Sequence, residues 1–264
     1  MKRIFLLGIF FQLIISCSRH EKFPEMATHP IVLTGEESPL KNEFITEQKN
    51  LQAATGEMFA ALNELSGFQK MYLQENEGFE LEKFLASWQK FKNNTSSHQL
   101  TQEENLQWFQ ITGFLFQLTG EARFTEEMEK IAWNSFAGES QLFDSLVSPY
   151  IFTKNVDHIH INLFLPKEIS YQHTLGGGVK IAQKTSFPES GSIRINFNME
   201  IKRYIEVFVR IPVWAEGTSV TVKGVKYFAQ PGQYCIIAKK WKEGDVIEIE
   251  FPHENLPDYL KRKV

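Results

Sequence analysis

The chain has 264 residues, 42% of them hydrophobic and 13% aromatic, with 23 Phe. That is enough apolar material for a sizeable core, which excludes collagen-like, low-complexity and fully disordered organisation. Lys and Arg number 28 against 32 Asp and Glu, a net charge of −4, so the basic excess of a phosphate-backbone binder is missing and nucleic acid is not an expected partner.

Met1-Lys2-Arg3 forms a short positive region, and residues 4–15 are apolar apart from Gly8 and Gln12. This stretch is too short for a bilayer core, which takes roughly 20 residues of helix, and it reads as an export signal. Leu13-Ile14-Ile15-Ser16-Cys17 resembles the bacterial lipobox. That implies lipidation of Cys17 and a chain held by a lipid anchor to the bacterial cell envelope, at the outer membrane or cell surface. An ordinary secretory signal with Cys17 near its end by chance is the alternative. Residues 18–42 are polar, carry Pro24, Pro30 and Pro39, and read as an extended, mobile tether.

Residues 43–148 have helical spacing. Phe59, Leu62, Leu65 and Phe68 recur at three, and Phe79, Leu81, Phe84, Leu85, Trp88 and Phe91 form the stripe of another helix. Thr101-Gln102-Glu103-Glu104 resembles a capping box before Leu106, Trp108, Phe109, Ile111, Phe114, Leu115 and Leu118, and Thr119-Gly120 stops that helix. Thr125 reads as the cap of a further helix carrying Met128, Ile131, Ala132 and Phe136. Short connections predict antiparallel hairpins.

From Ser148-Pro149 onward the period becomes two. Seven segments alternate: 158–165, 179–184, 192–197, 204–211, 219–222, 234–238 and 245–251. With Gly and Pro between them and no helical segment, they predict an antiparallel sandwich or barrel over residues 149–264. The fold class is therefore α+β, with a layer of helical hairpins followed by the β domain, and no internal repeat.

Few residues suggest chemistry. The two cysteines, Cys17 and Cys235, exclude a disulfide scaffold and any metal site built mainly from sulfur. His158 and His160 are two apart on one strand and share a face, the geometry of a metal pair, for which a third ligand is needed and His173 is a candidate. The alternation instead favours a solvent-facing stripe opposite Ile159, Ile161 and Leu163. Gly176-Gly177-Gly178 precedes a strand and has no Lys-Ser/Thr after it, so it reads as a turn. Glu103 and Glu104 are weak catalytic candidates, since carboxylates in a first turn ordinarily complement the helix dipole. Cys235, between Tyr234 and Ile236, reads as a buried structural thiol. There is no Ser-His-Asp order or nucleophile elbow.

Several segments together resemble the β-L-arabinofuranosidase-like glycoside hydrolases of family 127. Leu118-Thr-Gly-Glu-Ala-Arg-Phe124, with Glu129 and Ala132-Trp-Asn134, is similar to a Leu-Thr-Gly-Asp-Ala-Arg-Tyr segment and the helix after it. His160-Ile-Asn-Leu-Phe-Leu-Pro166 is similar to Val-Asn-Leu-Tyr-Ile-Pro, and Gln183-Lys-Thr-Ser-Phe-Pro188 to Gln-Thr-x-Phe-Pro. Arg210-Ile-Pro-Val-Trp-Ala215 matches Arg-Ile-Pro-x-Trp-Ala, and Pro231-Gly-Gln-Tyr234, Trp241 and Gly244-Asp245 follow in order.

The resemblance implies the late part of an (α/α)6 barrel joined to a β-sandwich. It also implies a cysteine nucleophile in a zinc site of three Cys and one Glu, with another Glu as general acid/base. The position near Thr101-Gln102-Glu103 where the family carries a cysteine has none, the Cys-Cys pair before the Ile159 strand is missing, and Cys235 matches neither. No catalytic residue carries over and no cofactor or metal is expected. The expectation is a degenerate or non-catalytic, glycan-associated envelope lipoprotein, either a compact derivative without the active centre or a remnant. Two alternatives stand beside it. One is an active glycosidase using a carboxylate pair from Glu103, Glu104, Asp144 and Asp157. The other is a structural lipoprotein whose helical layer docks a protein partner.

Overall fold

A computed structural model describes residues 31–32, 57–95, 99–138, 140–156 and 158–261. The export signal, Cys17, most of the tether and Asp157 lie outside the described residues. Helices come first: α1 (Glu57–Leu73), α2 (Leu81–Thr95), α3 (Gln102–Thr119), α4 (Ala122–Ser135) and α5 (Ser140–Ile151). Thr101 caps α3 as its sequence predicts. Its hydroxyl accepts from the Glu104 N–H, and the Glu104 carboxylate accepts from the Thr101 N–H at 2.8 Å. Gly120 ends the helix in the left-handed conformation at φ 68, where a side chain would be strained.

Two helix boundaries differ from the sequence reading. Glu121 stands at the N-cap of α4, and Thr125 is buried inside the helix, its hydroxyl donating to the Ala122 carbonyl. A threonine inside a helix can bond back to the preceding turn, so its presence does not by itself mark a start. Pro149 lies within α5 rather than before a strand. The helix is retained because Phe143, Val147 and Ile151, spaced at four, bury one face.

The helical core is aromatic. The Trp88 and Trp108 rings stack at 5.3 Å, and Phe124 meets Trp88 edge-on at 4.7 Å. Both indole N–H groups have partners: Trp88 donates to the Thr112 hydroxyl and Trp108 to the Glu127 carboxylate, which also pairs with Lys92 at 3.1 Å. These bonds let large rings be buried without stranding a donor.

The strands are β1 (Ile31–Val32), β2 (Phe152–Asn155), β3 (His158–Ile161), β4 (Lys167–Gln172), β5 (Gly178–Thr185), β6 (Ser192–Met199), β7 (Arg203–Arg210), β8 (Ser219–Val222), β9 (Val225–Tyr227), β10 (Tyr234–Trp241) and β11 (Asp245–Glu250). A short helix, α6 (Asp258–Lys261), follows. They form two sheets, ordered β1-β2-β3-β7-β10 and β4-β5-β6-β11-β8-β9. All pairs are antiparallel except β3 with β7. Four strands escape the alternation reading. β9 has only three residues, β2 and β4 are mostly polar, and β1 lies in the stretch read as tether yet pairs with Thr153 and Lys154 of β2.

Inward residues of the two sheets make the sandwich core: Ile159, Ile181, Ile195, Val207, Ile237 and Ile247 are fully buried, and Trp241 stacks on Phe197 at 4.0 Å. The helical layer covers one end of the first sheet's outer face. Phe116 of α3 meets His160 there at 6.4 Å, and Phe109 meets Tyr150 at 5.8 Å.

Gly113 marks how close that approach is, because a Cβ there would lie 2.6 Å from the Tyr150 hydroxyl and 2.9 Å from its ring. Gly67 of α1 has nothing within 4 Å of the same position. The two glycines should therefore respond oppositely to alanine. Gly67→Ala gains about 0.5–1 kcal/mol from helix propensity. Gly113→Ala loses about 1–3 kcal/mol to overpacking. Thermal melts of the two variants check this, and a raised Tm for Gly113→Ala contradicts the packing described.

Candidate functional site

Three charged side chains meet inside the seam between α4 and the sandwich. Arg210, the last residue of β7, is 0% exposed. Its Nε donates to the Asn162 carbonyl at 2.5 Å, Nη1 to Glu126 Oε2 at 2.6 Å and Nη2 to Glu129 Oε1 at 2.6 Å. The guanidinium also lies over the Phe164 ring at 5.4 Å. Glu126 and Glu129, one helical turn apart on α4, face the sandwich together. The remaining Glu129 oxygen accepts from the Tyr259 hydroxyl of α6 at 3.3 Å. Asn162 takes the hydroxyl of Tyr234 on its side-chain oxygen at 2.6 Å and donates to the Tyr150 carbonyl and the Thr153 hydroxyl. It thereby ties the end of α5 to β2 and β10.

Burial raises the pKa of Glu129, Arg210 opposes this, and Glu126 adds to the rise, with a net direction upward. Burial alone would lower that of Arg210, but the two carboxylates reverse the sign. A buried carboxyl with a raised pKa is one signature of a general acid. Access decides against that role here. The cavity beside Glu129, lined by Ala132, Trp133, Leu163 and Phe187, holds about 10 Å³, room for one water and not for a sugar.

The sequence candidates lie elsewhere. Glu103 and Glu104 are in the first turn of α3, with Glu104 closing the capping box. Asp144 is exposed on α5, beside an open groove of about 700 Å³ that also runs along Pro166 and Lys167. Cys235 is a buried free thiol whose pKa burial pushes up to about 11. Gly176 and Gly177 form the β4–β5 turn with positive φ.

His160 corrects the expectation of a solvent-facing pair. It is 7% exposed, stacked on Phe208 at 4.6 Å and edge-on to Tyr234 at 5.3 Å, while His158 remains half-exposed and pairs with Glu206 at 3.3 Å. The alternation placed both on one face, but it could not show that Phe116 of α3 packs over His160. Burial, then the neighbouring His158, lowers the His160 pKa to about 4.

Among the described residues no three His, Cys, Asp or Glu side chains gather so as to hold a metal ion. They do not fit the cysteine-rich zinc centre that the resemblance implies. No helix among them is long and apolar enough to cross a membrane.

Residues 158–253 match the model of the "Beta-L-arabinofuranosidase, GH127 middle domain". This part of the chain is GH127-like. A solved structure titled "Glycoside hydrolase" superimposes with a TM-score of 0.52 at 19% identity, covering 57% of this chain and 32% of that one, and shows the shared fold. The GH127 β-L-arabinofuranosidase Ara127N of Geobacillus stearothermophilus T6 gives 0.47 at 19% identity, over 56% and 30%. The enzyme titled GH127 β-arabinofuranosidase BT3674 gives 0.47 at 19%, over 57% and 31%. The chain thus spans about a third of the length of these structures. No curated protein matches it.

Several polar residues of the GH127-like segments are buried in ties within the chain. Glu129, Asn162 and Arg210 meet in the seam, and Gln183 donates to the Leu163 and Leu165 carbonyls. Asp245 is buried between Lys223 and Lys239, which hold its pKa down to about 2 against the opposing effect of burial. Sequence reasoning missed Glu126 and Tyr259. The available signal was Glu126 three residues before Glu129, two acids on one face of a helix that is otherwise apolar on that side.

Removing Arg210 leaves two carboxylates facing each other in the seam, so Arg210→Ala should lower stability by about 3–5 kcal/mol. Arg210→Lys should recover little, because an ammonium lacks the planar fork. Urea midpoints measure both, and an unshifted midpoint for Arg210→Ala is the contrary result. His160 sets a pH dependence. Its folded pKa of about 4 lies below the ordinary 6.5, so as pH falls through that window the unfolded chain takes up a proton that the folded one refuses. Stability is lost on acidification, by up to about 3 kcal/mol. His160→Phe should lose less stability than the parent between pH 6.5 and 4.

Proposed function

We propose that the protein is a lipid-anchored, GH127-like component of a bacterial envelope that associates with glycans without running cysteine-zinc hydrolysis. The observation that carries this reading is the placement of the likeness itself. Glu129, Asn162, Gln183, Arg210 and Asp245 are all buried, with their hydrogen bonds and ion pairs directed to other parts of the same chain. These five side chains tie the chain to itself, and burial keeps each of them from serving as a nucleophile toward a glycan.

Chemistry points the same way. A thiol nucleophile needs a depressed pKa and access, whereas Cys235 is buried, with its pKa pushed up to about 11. The resemblance of residues 13–17 to a lipobox supports anchoring through Cys17, with the export signal removed.

Two measurements test this. Purified protein incubated with arabinofuranosides should release no arabinose. Release that is abolished by substituting a residue of this chain would overturn the non-catalytic reading. In a bacterial host, the parent should label with palmitate and fractionate with membranes, and Cys17→Ser should do neither. Labelling that survives the substitution would contradict anchoring at that residue.

A further inference from the structure

Among the described residues, helices cover only part of the outer face of the first sheet, and the rest of that face is organised. Along β7, Tyr204, Glu206 and Phe208 alternate outward, and the register sets Lys240, Ala238 and Ile236 of β10 beside them in that order. On the other side of β7, His158 of β3 lies beside Glu206 and His160 beside Phe208. α3 covers His160 but leaves Tyr204 45% exposed and Ile236 53% exposed.

The side chains here are held in place. The Tyr204 hydroxyl donates to Glu206 Oε1 at 2.7 Å, and Glu206 Oε2 pairs with His158 Nε2 at 3.3 Å. Phe208 is backed by the buried His160 ring, 4.6 Å away and within 18° of parallel. Side chains already fixed lose little freedom when a ligand arrives. Ala238, the smallest side chain of the group, stands beside Glu206, with Ile236 and Lys240 on either side along β10.

We propose that this face is a sugar-binding site, taking one ring of a glycan over Ala238. This rests on the glycan-associated reading above and gives it a place. A sugar presents an apolar C–H face and a rim of hydroxyls. The exposed ring of Tyr204 and the half-buried ring of Phe208 suit the first, while the Glu206 carboxylate as acceptor and Lys240 as donor suit the second. The charges of Glu206 and Lys240 offset each other across the site, so it complements an uncharged polyol rather than a polyanion.

Binding of arabinan, arabinogalactan, xylan and mannan oligosaccharides to the full chain, followed by titration calorimetry, tests the site. The expected result is that one series binds, that Tyr204→Ala and Glu206→Gln each weaken it at least tenfold, and that Lys180→Ala on the opposite sheet leaves it unchanged. Tyr204→Phe, which keeps the ring and removes only the hydroxyl tie, serves if Tyr204→Ala fails to fold, and its expected loss is smaller. Binding by the parent that survives both Tyr204→Ala and Glu206→Gln overturns this site and leaves the glycan reading standing. A parent that binds none of the oligosaccharides overturns both.

Discussion

A fully buried arginine constrains the rest of the structure. Arg210 is the end of a sandwich strand, and its two acidic partners belong to a helix more than eighty residues earlier, at separations of 84 and 81 positions. Removing a guanidinium from water costs several kcal/mol unless acceptors surround it. That cost is offset only when α4 lies against the first sheet in one orientation, with the Asn162 carbonyl supplying the third acceptor. The helices and the sandwich therefore cannot choose their relative position independently. The same network reaches the last described helix through Tyr259 and the end of α5 through Asn162.

Much of the architecture was legible because local physics and tertiary context agree. The capping box at Thr101, the glycine stop at Gly120 and the alternating strands each follow from local rules that burial then reinforces. The misses arise where a third element decides. Thr125 resembles a cap until α4 is seen to start earlier, and His160 resembles a surface residue until α3 covers it. Pro149 resembles a boundary, yet the buried face of Phe143, Val147 and Ile151 keeps the helix going. Such effects involve residues distant in sequence, which periodicity does not register.

Arg210-Ile-Pro-Val-Trp-Ala215 is one of the segments that carry the family resemblance, and its residues have packing partners in the structure. Arg210 needs two acids and a carbonyl, and Trp214 stacks near Phe187, a residue of another matching segment, at 6.1 Å. The pieces around Glu129, Asn162 and Arg210 that resemble GH127 proteins thus meet at one junction, while Trp241 and Asp245 lie within the sandwich. A likeness carried by a junction speaks to how the halves are held, while activity depends on groups that must meet a substrate. Buried Glu129 illustrates the difference: its titration is perturbed as in a catalytic acid, but its surroundings admit about one water.

The central claim is that the Arg210 network makes the helical layer and the sandwich a single cooperative unit. Native-state hydrogen exchange, read by mass spectrometry over a range of sub-denaturing urea, tests it most directly. The account predicts that core amides of α3 and α4 converge with those of β3 and β7 on one opening free energy and one urea dependence. Two well-separated free energies, with the helices opening while the strands stay protected, would contradict it.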